Sequence, residues 1–328
     1  MTYVPPPLAL ELASGIKVRD ARALAKTITL LESRLSYKKA IGLEVLSVLK
    51  IDNSYISRKI AFTGPPGVGK STLIESVGLS LVKKGFTLAI LTIDPSSPIS
   101  GGSVLADKTR MQRLSNCEEV FIRPSASGKG YLGGITAATL DIMDVIEAAG
   151  YDFILVETIG IGQNEVDIKD LVDQLILILP PAAGDELQGL KKGIIEVVDL
   201  IAVNKHDGAL KKTAELTAMH YGSALSVLTG HKTPVKLCSA KDGTGIGEII
   251  EMMCSYLLSP EERQQKQVHL LDRIAPQEML EILLQSPPIK RLFAAQKLAM
   301  ETKESSLKQS LTTMTDYLKS CLEMDKNL

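Results

Sequence analysis

Between Arg58 and Leu258 the chain repeats one pattern, a short apolar β-rich run followed by a helical segment. The runs are Ile60–Thr63, Thr87–Ile93, Phe153–Glu157, Gln174–Leu179, Leu200–Val203 and Val235–Cys238. Strands that are apolar at successive positions, not at alternate ones, are buried on both faces, and the intervening helices supply the cover. The pattern therefore predicts a doubly wound, mainly parallel α/β sheet. Before it, Pro5 to about Ser57 reads as helical. Leu24, Ile28 and Leu31 recur at three- and four-residue spacing, and a second pattern runs through Ala40, Leu43, Leu46 and Leu49. From Ser259 onward no run reads as a strand. Pro276, Pro287 and Pro288 punctuate that zone, and Leu307, Leu311, Met314, Leu318 and Leu322 form a helical stripe. The expected organisation is an N-terminal helical segment over 1–57, an α/β domain over 58–258 and a C-terminal helical extension over 259–328.

Composition narrows the function classes. At about 150 residues per domain, 328 residues suggest roughly two domains. Hydrophobic residues at 45% and charged residues at 23% suit a chain that buries a core, which excludes intrinsic disorder. The formal net charge of −1 supplies no global basic field, so neither nucleic acid nor an anionic membrane is an expected partner. Cys117, Cys238, Cys254 and Cys321 are far apart and form no C-x-x-C pair, which fits a reducing cytoplasm. The longest apolar tract, Leu175 to Leu179, runs into Pro180 and Pro181 and is too short to span a bilayer. The first twenty residues carry Glu11 and Asp20 and do not read as a signal peptide; a processed organellar chain stays open.

The strongest local signal follows the first strand. Gly64-Pro65-Pro66-Gly67-Val68-Gly69-Lys70-Ser71 matches the G-x-x-x-x-G-K-[ST] phosphate loop, and Thr72 continues it into a helix. Its glycines let backbone amides converge on phosphate oxygens, and the helix adds the positive end of its dipole. Lys70 is expected at the β- and γ-phosphates and the Ser71 hydroxyl on Mg²⁺. Leu73, Val77 and Leu81 line one face of that helix, which stops at Gly85.

Two further strand ends complete a guanine reading. Asn204-Lys205-His206-Asp207 sits just past Leu200–Val203. A carboxylate there accepts from guanine N1–H and the N2 amine, donors adenine lacks, and a site built on that pairing rejects the analogue. N-K-x-D alone is a weak signal that more often marks a solvated loop; following a phosphate loop and preceding Ser239-Ala240-Lys241 at the next strand end, it favours GTP over ATP. Asp94 and Glu157 end two other strands. Carboxylates at the carboxyl ends of parallel strands face the ligand crevice, and Mg²⁺ takes one or two of them with phosphate oxygens and water. They are candidate metal and water-handling acids, or else caps of a neighbouring turn.

These segments, together with Asp94-Pro95-Ser96-Ser97, Gly101-Gly102-Ser103, Asp107-Lys108-Thr109-Arg110-Met111, Phe121-Ile122-Arg123-Pro124-Ser125, Glu157-Thr158-x-Gly160-x-Gly162-Gln163 and Gly184-Asp185-Glu186-Leu187-Gln188-Gly189, resemble one family. That family is the methylmalonyl-CoA mutase-associated G proteins, labelled in older usage as arginine/ornithine transport kinases. The resemblance covers nearly the whole chain. It implies a GTPase metallochaperone that docks on an adenosylcobalamin-dependent acyl-CoA mutase, gates cofactor loading and protects the mutase. It also implies a homodimer through the C-terminal helices, and a switch over Gly184–Lys192 that couples nucleotide state to the partner. By position, Lys70, Ser71, Asp94, Glu157, Asn204, Lys205 and Asp207 match its phosphate, metal and base residues. His206 departs from the small residue expected in the guanine motif, and Leu140 stands where arginine is expected.

Other candidates stay open between two readings. Lys191 and Lys192 either stabilise charge developing on the γ-phosphate or are solvated residues at a helix start. Gln163 either orients the attacking water or caps the next helix. Arg110 and Arg123 are phosphate or partner contacts, or ordinary ion-pair residues. Two alternatives of other classes are a kinase acting on periplasmic amino-acid-binding transport proteins and a metal-inserting GTPase. No kinase catalytic-loop signature is present, and His206, His220, His231 and His269 lack metal-ligand spacing.

Overall fold

The computed structural model describes residues 5–33, 35–49, 56–94, 111–126, 137–158, 165–181, 192–228, 233–256 and 258–324. At its centre lie β1 (Arg58–Thr63), β2 (Leu88–Asp94), β3 (Val120–Ala126), β4 (Phe153–Glu157), β5 (Gln174–Leu179), β6 (Leu200–Val203) and β7 (Val235–Leu237). They form one sheet in the order β3-β2-β4-β1-β5-β6-β7, with every pairing parallel. The doubly wound α/β expectation holds. Successive apolar residues are required because both faces are covered, and all six residues of β5 are buried. On one face Ile60, Phe62, Ile90, Leu155, Ile176 and Ile178 join a core with Leu73, Val77 and Leu81. Those last three come from α4 (Lys70–Lys83).

β3 is a strand that the apolar runs did not announce. It lies at the sheet edge, pairing with β2 alone, and carries Pro124 opposite Thr92. Proline removes a ladder donor, which an edge tolerates and a central strand does not.

The N-terminal segment forms α1 (Pro7–Lys17), α2 (Ala21–Leu31) and α3 (Ser36–Leu49), which pack together and against α6 (Ala137–Ala148). Asp20 caps α2 by accepting from the Arg22 amide at 2.8 Å. Leu24, Ile28 and Leu31 are buried as their spacing predicts. The stripe on α3 differs from the one read. Gly42, Val45 and Leu49 are buried, Ala40 is exposed, and Leu43 is 43% exposed. Gly42 sets that face, since a Cβ there would lie 2.9 Å from Leu31 Cδ2. Arg19 pins the layer to the end of α6, donating to the carbonyls of Ala149 and Gly150 and lying over the Tyr151 ring.

The remaining helices are α5 (Gln112–Ser115), α7 (Glu165–Leu171), α8 (Lys192–Val197), α9 (Lys211–Leu228), α10 (Ile246–Ser255), α11 (Pro260–Gln285), α12 (Pro287–Glu301) and α13 (Leu307–Met324). The chain divides into two compact units, 1–267 and 268–328. Within the first, Lys266 on α11 donates to the carbonyls of Lys169 and Val172 at the end of α7. Burial there pulls its ammonium down to about 8. Within the second, α12 packs on α13, and Pro287 takes a first-turn position of α12, where its missing N–H is harmless. Pro276, read as punctuation, instead lies inside α11. Leu307 and Leu311 of the α13 stripe are 62% and 55% exposed. No helix of the described residues is long and apolar enough to cross a membrane.

Candidate functional site

The phosphate-loop sequence leaves β1 through a backbone that only glycine can follow. Gly64 has φ +146°, and a Cβ on it would lie 2.2 Å from the Ile178 carbonyl of β5. Gly67 (φ +75°) and Gly69 (φ +97°) also take positive φ, the latter as the residue that caps α4. Curling this way brings the loop around its own lysine. Lys70 is buried, and its Nζ donates to the carbonyls of Gly64 at 2.7 Å and Pro65 at 3.1 Å. Pro66 and Thr72 are exposed, whereas Val68 is buried.

Beside the loop, parallel pairing sets Glu157 opposite Phe62 of β1. The Thr158 amide and hydroxyl both donate to the Phe62 carbonyl, at 3.1 and 3.3 Å, which fixes the end of β4. Ser71 Oγ donates to Glu157 Oε1 at 2.6 Å. A hydroxyl and a carboxylate brought together at a strand end are hard oxygen donors, the set Mg²⁺ takes, so these residues fit that ion. On the next strand Thr92 pairs with Glu157, so Asp94 lies two positions further toward the carboxyl end of the sheet. Gln163 and Lys191 fall outside the described residues, as do the side chains of Asp94 and Lys192 and most of Gly184–Lys192.

The base motif sits two strands away and reaches back to the loop. Asn204, 2% exposed, donates from Nδ2 to the Val68 carbonyl at 2.9 Å and accepts the Ala240 amide on Oδ1 at 3.0 Å. The Cys238 thiol also points to that Oδ1, at 3.8 Å, and burial pushes its pKa up to about 12, so it remains a thiol. Three of the hydrogen-bonding positions of the Asn204 amide are thus spent inside the protein. Lys205 takes a left-handed φ of +61° and donates from Nζ to the Gly67 carbonyl at 3.0 Å. Ser239 Oγ donates to Asp207 Oδ2 at 2.6 Å. The turn after Ser239 is braced by Asp242, which accepts the Thr244 amide at 2.9 Å; that bond holds its carboxyl below the usual carboxylate range. Lys241 lies exposed in this turn.

Loop, strand-end acid and base motif are therefore gathered at the carboxyl end of one sheet, where doubly wound folds bind their ligands. Two contacts were not legible beforehand. Cys238 read only as a strand end and an isolated cysteine, although its place directly before Ser239 was the available signal. Glu215, which pairs with His206 at 3.1 Å, gave none. Arg123, a candidate phosphate or partner contact, is instead paired with Glu32 at 3.0 Å and Thr29 at 3.2 Å, at the C-terminal end of α2.

The family model described as methylmalonyl Co-A mutase-associated GTPase MeaB matches residues 24–286. GTPase ArgK of Escherichia coli is 35% identical over 312 residues, covering 92% of this chain and 94% of the relative. The mouse protein named methylmalonic aciduria type A homolog, mitochondrial, is 40% identical over 259 residues, 75% of this chain and 62% of its own length. A crystal structure described as a LAO/AO transport system kinase superposes with a TM-score of 0.69 at 28% identity, covering 97% of this chain and 100% of that one. A phosphate loop built on glycine backbone, an adjoining hydroxyl–carboxylate pair and a base motif tied to that loop agree with that match, and the chain belongs to the methylmalonyl-CoA mutase-associated GTPase family.

Proposed function

We propose that the chain binds and hydrolyses GTP with Mg²⁺ and uses that cycle as the chaperone of an adenosylcobalamin-dependent acyl-CoA mutase. The observation that carries the nucleotide half is the tie between motifs: Asn204 and Lys205 bond the carbonyls of Val68 and Gly67. Base and phosphate sites are thereby held as one surface. The mutase half rests on the family's description.

In this reading the backbone amides of Gly64–Thr72 receive the phosphates. The Lys70 ammonium exchanges its two loop carbonyls for the β- and γ-phosphate oxygens. Ser71 and Glu157, with Asp94, hold Mg²⁺, which when bound neutralises charge on the transferring phosphoryl group. Asp207 accepts from the guanine N1–H and N2 amine, and Ser239, donating to its other side, keeps the carboxylate turned inward. The Ala240 amide meets guanine O6, beside Lys241. Gln163 orients water, and Lys191 and Lys192 add positive charge at the γ-phosphate when the Gly184–Lys192 switch closes. Exposed Leu307 and Leu311 support a homodimer through the C-terminal helices. The work takes place in the cytoplasm, or in an organelle that houses the mutase.

The test is steady-state hydrolysis by the purified chain, with and without an apo acyl-CoA mutase of the same source. A rise of at least about tenfold with GTP and none with ATP is expected, since a residue that stabilises phosphoryl charge is worth about 10³–10⁵ in rate where it acts in full. Slow GTP turnover without a rise discards the mutase as partner. Turnover of ATP in preference to GTP, with transfer to an amino-acid-binding protein, would replace this reading with the kinase named for the structural relative.

A further inference from the structure

The guanine motif contains one side chain to which the reading above gives no task. His206 stands between Lys205 and Asp207; its ring is 11% exposed, and its Nε2 lies 3.1 Å from Oε1 of Glu215 in the second turn of α9. A carboxylate oxygen only accepts, so Nε2 carries the proton of this bond. Nδ1 is buried and has no hydrogen-bond partner among the described residues, which makes Glu215 the ring's polar anchor.

The backbone next to it explains what an anchor does there. Lys205 occupies the left-handed region at φ +61°, which disfavours any residue with a Cβ. Such a conformation persists only where its surroundings over-determine it. Three contacts surround this one: Lys205 Nζ to the Gly67 carbonyl at 3.0 Å, the His206 amide to the Cys238 carbonyl at 2.9 Å, and the His206 ring to Glu215. The first leads to the phosphate loop and the second to the end of β7. Only the third leads to α9, the helix that follows Asp207 through the short 3₁₀ turn Gly208–Leu210. Asp207 itself has extended backbone, φ −143°, so the direction of its carboxylate is set by the residues on either side. Ser239 Oγ fixes one carboxylate oxygen; the strut from His206 to α9 fixes the chain that carries it.

We infer that His206 is a positioning residue for base recognition: through Glu215 it braces the left-handed turn at Lys205 and so aims the Asp207 carboxylate at the guanine edge. This rests on the guanine reading of the motif. Its chemistry concerns any guanine nucleotide, and neither His206 nor Glu215 hydrogen-bonds to Gly64–Ser71; the one link to that loop runs through Lys205 Nζ.

The experiment titrates the full chain with GDP and with ADP, in the wild type and in His206→Ala, Glu215→Ala and His206→Gln. ADP reads the phosphate loop and GDP reads loop plus base. In the two alanine variants GDP binding is expected to weaken about tenfold, the scale of one charge-assisted hydrogen bond, with ADP changing less than about twofold. Glutamine offers an N–H near the Nε2 position and is expected to restore GDP affinity to within about threefold of wild type. Equal weakening of GDP and ADP would show a general packing role and overturn the inference, as would unchanged GDP affinity in folded His206→Ala. Failure of the underlying reading looks different: there the wild type itself shows no preference for GDP over ADP.

Discussion

Replacing Asn204 by alanine removes its side-chain bonds to the Val68 carbonyl and the Ala240 amide, and the structure fixes what is left behind. The Val68 carbonyl, on a residue 1% exposed, loses its 2.9 Å donor, and the Ala240 amide loses its 3.0 Å acceptor. A buried group left unsatisfied costs about 1–3 kcal/mol, so the pair sets a range of about 2–6 kcal/mol, with water entry favouring the lower end. A loss of about 3 kcal/mol in unfolding free energy is the expected result, read as a lowered urea midpoint at unchanged slope. Native-state hydrogen exchange reads the same event locally. The Ala240 amide should exchange faster by clearly more than the roughly hundredfold that a global loss of about 3 kcal/mol gives to amides in the centre of β4. Asn204→Asp provides the second arm: it keeps an acceptor for Ala240 but sets a carboxylate oxygen against the Val68 carbonyl, so it should be no milder than alanine. If Asn204→Ala shifts stability by less than about 0.5 kcal/mol and leaves Ala240 exchange unchanged, the bridge does not hold the two motifs together.

Three further outcomes follow from other residues. Gly64→Ala must move a Cβ placed 2.2 Å from the Ile178 carbonyl and should abolish nucleotide binding, whereas Gly67→Ala, with nothing within 4 Å of its Cβ, should lower stability by only about 1–2 kcal/mol; thermal melting and GDP titration separate them. Glu157→Gln keeps an acceptor for Ser71 but removes the charge, so Mg²⁺-dependent GTP hydrolysis should fall by at least about tenfold with GDP binding in chelator unchanged; equal hydrolysis would remove Glu157 from the metal site. Burial raises Asp144 from 3.8 to about 6, against the opposing attraction of Lys59. As pH rises the unfolded chain releases this proton first, so stability falls between about pH 4 and 6 and then levels; Asp144→Asn should gain up to about 3 kcal/mol at pH 7 in urea unfolding and nothing below pH 4.

The parts of the fold that could be read were those whose cause is local. Central strands are sandwiched on both faces, so Phe153–Val156 and Leu175–Leu179 are apolar residue after residue and stand out. β3 has no such pressure beyond Phe121 and Ile122, and Arg123-Pro124 hides it, because only an edge accepts a proline within the ladder. The helical spacing on α3 was visible, but the buried face was not. That face depends on Leu31 filling the space left by Gly42, a contact between two helices that no single-helix pattern contains. The same division runs through the site. Gly64, Gly69, Lys70 and Ser71 act within one strand–turn–helix, and their spacing alone marks them. Asn204 was recognisable as part of a motif, yet its partners Val68 and Ala240 lie 136 and 36 residues away and become neighbours only through the strand order.

That strand order also gives a task to the two prolines into which the longest apolar tract runs. β5 lies between β1, which carries the phosphate loop, and β6, which carries the base motif. Neighbouring strands are about 4.8 Å apart, so the two loops start about 10 Å from each other with the end of β5 between them. For Asn204 and Lys205 to reach Val68 and Gly67, β5 must stop and leave that gap clear. Its last carbonyl, on Leu179, is taken by the Asn204 amide at 2.9 Å, and Pro180 and Pro181 follow at once. A proline has no N–H to extend the ladder and restricts the residue before it, so the strand ends where the crossing begins. On the other side, Gly64 presses against the Ile178 carbonyl with no Cβ to hold it off. Glycine after β1 and proline after β5 are thus two halves of one requirement. The phosphate loop and the base motif meet over a strand that has been made to end early.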